Sequence, residues 1–324
     1  MRQVGLSVLK TICCFCAVTF YSASQLCNEF CFVNNHFLSI LYFLSIVATP
    51  LFFLINGYSD HKTYSTQRLF QIDWSKILSV LFIFAFWNAV SYLLFSKNGF
   101  NSYFLQSWLL ISLATIYVLN PIFTIVLSHY RWAYLALLLF VVFIAFLDIL
   151  TLLNLNGQIE KVPSHFRIWT WCFYYYIGRF LALRKIRLIS KRKKVRYYAK
   201  LFCFPLMFSF YLYELLLSKY VFKAFNATYF LDSVLLIAMT LTIFIIFDNI
   251  KIKTKILTEI FHFIAPAMIG VYILHDAIYF YLLHWFPTYE PTIATLYFFI
   301  VFTLSVIISR LLLLNSVTSK LIKI

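Results

Sequence analysis

The sequence predicts an all-α polytopic integral membrane helical bundle of about ten transmembrane helices, with the N and C termini cytoplasmic. Three observations lead there: an apolar composition spread over the whole chain, repeated apolar runs of spanning length, and a one-sided distribution of basic residues. Of 324 residues, 63% are hydrophobic, 21% aromatic and 12% charged, where a soluble domain carries roughly 25% charged. A mean hydropathy of +0.87 describes the entire chain rather than one anchor, so lipid is the solvent for most of it. Residues 1–324 read as a single membrane-embedded domain, because no stretch between the apolar runs is long enough to fold in water by itself.

Ten runs are long enough to cross a hydrocarbon core of about 30 Å. They lie near 4–24, 37–57, 77–95, 105–127, 132–153, 166–184, 198–218, 229–247, 262–284 and 293–314. Continuous apolarity, rather than alternation, makes them helices and not barrel strands. The opening residues carry no small-residue cleavage signature, so the first run is expected to be a span and not a removed signal.

The chain holds 27 Lys and Arg against 11 Asp and Glu, a net charge of +16. In a soluble protein that excess would suggest nucleic acid. Here it sets orientation, and no nucleic-acid partner is expected. With a cytoplasmic start, only Lys97, Lys161, Arg167, Lys219 and Lys223 fall outside, and the other 22 basic residues lie inside. The densest group, eight cations between Arg184 and Arg196, would be attracted to anionic membrane lipid or to the phosphates of a cytosolic donor.

Ionisable side chains within apolar spans are costly and therefore draw attention. Lys10, Asp148, Arg179, Glu214, Asp232, His275 and Asp276 qualify. Lys10, Glu214 and Asp232 are near enough to span ends to snorkel toward water, whereas His275 is mid-span and needs a partner or a wet cavity. Two proline segments interrupt helical runs. Pro50 precedes an Asn56-Gly57 pair that invites a turn, and Tyr117 and Asn120 break the apolar run from Trp108 to Pro121. Cys27 and Cys31 stand four apart without a second ligand pair, and no His, Cys or carboxylate cluster has metal-ligand spacing, so no metal and no resident cofactor are expected.

In order along the chain, these pieces resemble the acyltransferase-three family of membrane O-acyltransferases. The resemblance rests on Pro50 through Asn56-Gly57-Tyr58, on Lys76-Ile77 with Phe86-Trp87-Asn88-Ala89, and on Trp108 through Tyr117 to Pro121. It continues in Tyr174-Tyr175-Tyr176-Ile177-Gly178-Arg179 and Tyr272-Ile273-Leu274-His275. The family's first span carries an Arg and, eleven residues later, a His. Here those positions are Lys10 and Tyr21, about 16 Å apart on one helix face. Gln106 likewise stands where a His often precedes the tryptophan, and Asn56 where a Ser is usual.

The resemblance implies an O-acyltransferase, most simply an O-acetyltransferase, of a cell inner membrane. It would take an acyl group from cytosolic acyl-CoA and pass it to a hydroxyl of a surface polysaccharide or a lipid-linked glycan precursor. It implies Lys10, Lys76, Trp87, Gln106, Trp108, Tyr117 and Arg179 as donor- or substrate-binding residues. Hydroxyl acyl transfer needs a base. With the first-span histidine replaced, His275 is the expected base and Tyr21 an expected oxyanion donor. Two alternatives remain open: a non-catalytic relative that binds or moves a lipid-linked glycan, and a polysaccharide polymerase or flippase.

Overall fold

In a computed structural model, residues 4–26, 36–63, 72–95, 102–153, 167–223, 227–248, 250–285 and 291–323 are described. Cys27, Cys31, Lys97, Lys161, the loop 154–165 and the side chain of Gln106 lie outside the described residues. Among the described residues the secondary structure is helical, without a strand, as a lipid-embedded backbone requires when it has no barrel to close.

The helices are α1 (Val4–Leu26), α2 (His36–Ser45), α3 (Ala48–Thr63), α4 (Trp74–Phe95), α5 (Ser102–Ser128), α6 (Tyr130–Leu153) and α7 (Ile168–Ala182). They continue as α8 (Arg184–Ser190), α9 (Lys193–Leu217), α10 (Val234–Asp248), α11 (Lys255–Ile264), α12 (Met268–Trp285) and α13 (Pro291–Leu314), followed by a 3-10 turn at Thr318–Leu321. Each expected span contains helix among the described residues. Among the described residues, eight stretches are long and apolar enough to cross a membrane.

The other two expected spans are shorter than the apolar runs suggested. α7 and α10 have 15 residues each, about 22 Å at helical rise. α7 tolerates this because it is clad in protein. From Thr170 to Phe180 every residue is buried, and an apolar surface all round a helix is the mark of such a position. Its partners are α3, α5 and α6. α3 is buried at most positions from Ala48 to Asp60, and α1 is packed by α2, α3, α10, α11, α12 and α13. By contrast α6 shows Leu138, Leu139, Val142, Phe146 and Ile149 on its surface, an apolar face suited to lipid.

The second span departs from expectation in two places. It breaks at Ile46-Val47, so that Pro50 sits in the first turn of α3 rather than kinking a continuous helix, where its missing N–H costs nothing. Asn56-Gly57 makes no turn, and α3 runs on to Thr63. The glycine serves packing instead. A Cβ on Gly57 would lie 2.0 Å from the Tyr175 carbonyl oxygen, and one on Gly178 would lie 2.1 Å from that of Leu54. The backbones of α3 and α7 thus touch at two reciprocal glycines, and among the described residues this is the most extensive helix pair.

Gly57→Ala and Gly178→Ala are each expected to lower the melting temperature in detergent, at a cost of about 1–3 kcal/mol from forced separation of the backbones. In an unconstrained helix the same change would be stabilising by roughly 0.5–1 kcal/mol. A melting temperature that stays or rises would show that α3 and α7 are not in backbone contact.

Candidate active site

Because Gly57 meets Tyr175, Asp60 one turn later is carried beside the same tyrosine. The Tyr175 hydroxyl donates to Asp60 Oδ2 at 2.9 Å, and the Lys76 ammonium of α4 reaches Asp60 Oδ1 at 2.5 Å. The same ammonium stands 5.3 Å from the centroid of the Tyr117 ring, a cation–π distance. Arg179, one residue past the second glycine, donates through Nη1 to the carbonyl and to the side-chain oxygen of Asn120. Lys10 of α1 is partly buried and lies in the field of Asp60. Four of the predicted donor-binding residues, Lys10, Lys76, Tyr117 and Arg179, therefore converge. Lys76 binds the Asp60 carboxylate, Lys10 feels its charge, and Arg179 is joined to them through Asn120, whose side-chain oxygen also accepts from the Tyr175 hydroxyl at 3.3 Å; this gathering of cations suits an anion.

This cluster belongs to the end of the bundle that also carries the basic run. The Tyr58 hydroxyl donates to Asp248 at 3.3 Å, Arg187 acts on Tyr58 by its charge, and a Cβ on Gly5 would meet the Asp248 carbonyl.

Toward the other end, the two predicted catalytic residues meet. The Tyr21 and His275 rings are edge to face with centroids 5.4 Å apart, and Tyr279 closes on Tyr21 in the same manner at 5.7 Å. His275 Nδ1 lies 2.8 Å from the Val271 carbonyl oxygen. A carbonyl only accepts, so Nδ1 carries the proton and Nε2 holds the lone pair. No side chain among those described hydrogen-bonds to the ring, and α12 supplies from its own backbone the orientation that a carboxylate often gives. Just below, Cys13 of α1 donates to the Ala48 carbonyl at 3.1 Å and meets the Tyr272 hydroxyl at 3.3 Å. These contacts pin α1, α3 and α12 at one level.

Two other predicted residues, Trp108 and Trp87, have partners of their own. Trp108 is tilted against Trp171, with centroids 5.1 Å apart, and Trp171 stacks on Phe53 at 5.2 Å. The Trp87 indole donates to the Leu321 carbonyl at 2.8 Å. Among the carboxylates suspected of snorkelling, Asp232 does not. It accepts from Arg167 at 2.9 Å and from the Thr170 hydroxyl, and it is 5% exposed. Glu214 is fully buried as well. Asp148 accepts from the Tyr213 hydroxyl and the Val234 amide, both at 3.2 Å.

Sequence reasoning passed over Asp60 and gave Tyr175 only as part of the aromatic segment that ends in Arg179. Asp60 follows the proline-to-tyrosine element directly, and an acid closing an apolar run was the available signal. Asn120 was visible as a break in its helix, though without a role. Among the described residues no group of three His, Cys, Asp or Glu side chains is placed to hold a metal ion.

The fold and these polar clusters define a multi-pass membrane protein whose interior holds an anion-suited cluster toward one end and an oriented imidazole toward the other. The chain matches the acyltransferase-domain family model, that of acyltransferase-three, over residues 3–310, and it belongs to that membrane acyltransferase family. No curated protein and no solved structure matches it.

Asp232→Ala is expected to destabilise the protein by about 3–5 kcal/mol, since it strands the Arg167 cation in the interior. The double change Arg167→Met with Asp232→Leu should recover most of that loss in detergent unfolding. Equal instability of single and double variants would show that the pair itself matters less than the space it fills.

Proposed function

We propose that the protein moves an acyl group, most simply acetyl, from cytosolic acyl-CoA to a hydroxyl of a surface polysaccharide or lipid-linked glycan precursor. The basic end faces the cytoplasm of a cell inner membrane in this reading. The observation that carries it is the Nδ1–H bond to Val271, which leaves Nε2 of His275 as a base beside Tyr21.

Lys10, Lys76 and Arg179 attract the phosphates of the donor, and Tyr117 and Tyr175 line the approach. Lys10 and Tyr21 lie eleven residues apart on α1, about 16 Å along its axis, so that one helix joins the donor end to the reacting end. At that end Nε2 of His275 accepts the acceptor's hydroxyl proton as its oxygen attacks the thioester carbonyl. The C–S bond then breaks, and the proton passes to the departing thiolate. The products are an ester and free CoA thiol, with no net proton change. A hydrogen bond from the Tyr21 hydroxyl to the carbonyl oxygen would stabilise the tetrahedral intermediate.

Membranes containing the protein are expected to esterify the glycan, and His275→Ala should lower that rate by about 100-fold or more, the contribution of a general base. Acylation that persists undiminished in His275→Ala removes His275 from the mechanism. Tyr21→His should retain or raise transfer, because the new imidazole would stand against His275. A wild type and a Tyr21→His variant that are both silent would favour a non-catalytic relative. In cells, base-labile esters on the surface polysaccharide should disappear with the gene, and identical ester content would count against the acceptor named here.

A further inference from the structure

α4 carries Lys76 and is packed along a narrow strip. Among its described residues only Ile77, Val80, Ile83 and Ser91 are buried, and its main neighbours are α5 and the turn Thr318–Leu321. Two polar tethers supplement that narrow strip. Lys76 is bound to Asp60 at 2.5 Å, and the Trp87 indole N–H is bound to the Leu321 carbonyl at 2.8 Å. Eleven residues separate the tethers, close to three full turns, so both leave the same face of α4 about 16 Å apart.

The turn that receives Trp87 is itself anchored. The Thr318 hydroxyl donates to the Leu312 carbonyl at 2.6 Å, the Ser319 amide donates to Asn315 at 2.9 Å, and that of Ile322 donates to Ser319 at 3.3 Å. Ile322 is 2% exposed. Its δ carbon lies against Gly270, 3.3 Å from where a Cβ would stand, beside Ser309. Gly270 precedes His275 by five residues on α12. The turn therefore wedges between the helix of the donor cation and the helix of the imidazole. It also lies beyond residues 3–310, the part matched to the family, so the family assignment does not supply this contact.

We infer that Trp87 is a positioning residue: through the turn Thr318–Leu321 it sets the pose of α4, and thereby how firmly Lys76 engages an anionic acyl donor. The inference rests on reading Lys76 as a donor contact. Removing the N–H frees one end of α4, and withdrawing Ile322 from Gly270 loosens the same contact from its other side without touching α4.

The test compares the full-length wild type, Trp87→Phe, Ile322→Ala and the double variant in lipid nanodiscs, by backbone hydrogen exchange over residues 74–87 and by acetyl-CoA kinetics. Each single variant is expected to speed exchange in α4 and to raise the KM for acetyl-CoA about five-fold, the size of one neutral hydrogen bond, with kcat within about two-fold. The double variant should be no worse than the larger single, because both changes undo one contact. Unaltered α4 exchange in Ile322→Ala overturns the inference, as does a KM that rises in Trp87→Phe alone, which would make Trp87 a direct donor contact. Multiplicative effects overturn it too. If the wild type turns over no acetyl-CoA, the donor assignment fails separately, and faster or unaltered α4 exchange still decides for or against the wedge.

Discussion

The backbone contact between α3 and α7 is the constraint from which the site follows. Helix axes in packed bundles usually lie 8–10 Å apart, held off by side chains. Gly57 and Gly178 remove that spacer at two levels and let each helix touch a carbonyl of the other. The consequence is positional. Asp60 lies three residues past the first glycine, and Arg179 one past the second. Asp60 thus reaches Tyr175, and Arg179 reaches Asn120 on α5. Larger residues at those two positions would move the whole polar cluster apart.

Lipid as solvent makes partners for interior polar groups valuable, although the fully buried Glu214 carboxylate has none among the described residues. Without water nearby, an unmet donor or acceptor costs several kcal/mol. The chain answers with local partners: Arg167 with Asp232, Lys76 with Asp60, Tyr213 with Asp148, and the His275 ring with its own helix backbone. The carbonyl bond to His275 costs no second side chain. It also fixes the tautomer, which a free imidazole in an apolar bundle would leave undecided.

α1 joins these arrangements, since it bears Lys10 near the cation cluster and Tyr21 against His275. Its buried face of Leu9, Cys13, Cys14, Ala17 and Val18 is apolar or weakly polar, so the two ends are separated by a dry stretch. A small residue such as Cys or Ala along that stretch lets α3 and α12 approach, as the Cys13 contacts with Ala48 and Tyr272 show. The same helix that separates the ends therefore sets their distance.

Composition and apolar run length were enough to determine the solvent, the helical class and the position of every long helix, because spanning a hydrocarbon core is a local requirement on some twenty consecutive residues. Motif order was enough for the family; Lys10, Tyr117, Arg179 and His275 stood out as polar residues against an apolar background, and Lys76 and Tyr21 came from the resemblance to the family. Their division into two groups was not legible, and neither was the part played by Asp60, Tyr175 or Trp87. Asn56-Gly57 read as a turn, since sequence alone shows a glycine's freedom but not the neighbour that needs its missing side chain. α7 read as an ordinary span, although its burial depends on α3, α5 and α6 closing around it. Those decisions belong to the tertiary structure, because in an apolar chain almost any helix face can meet another. Which faces do meet is settled by a few close contacts, here two glycines and the carbonyls they admit.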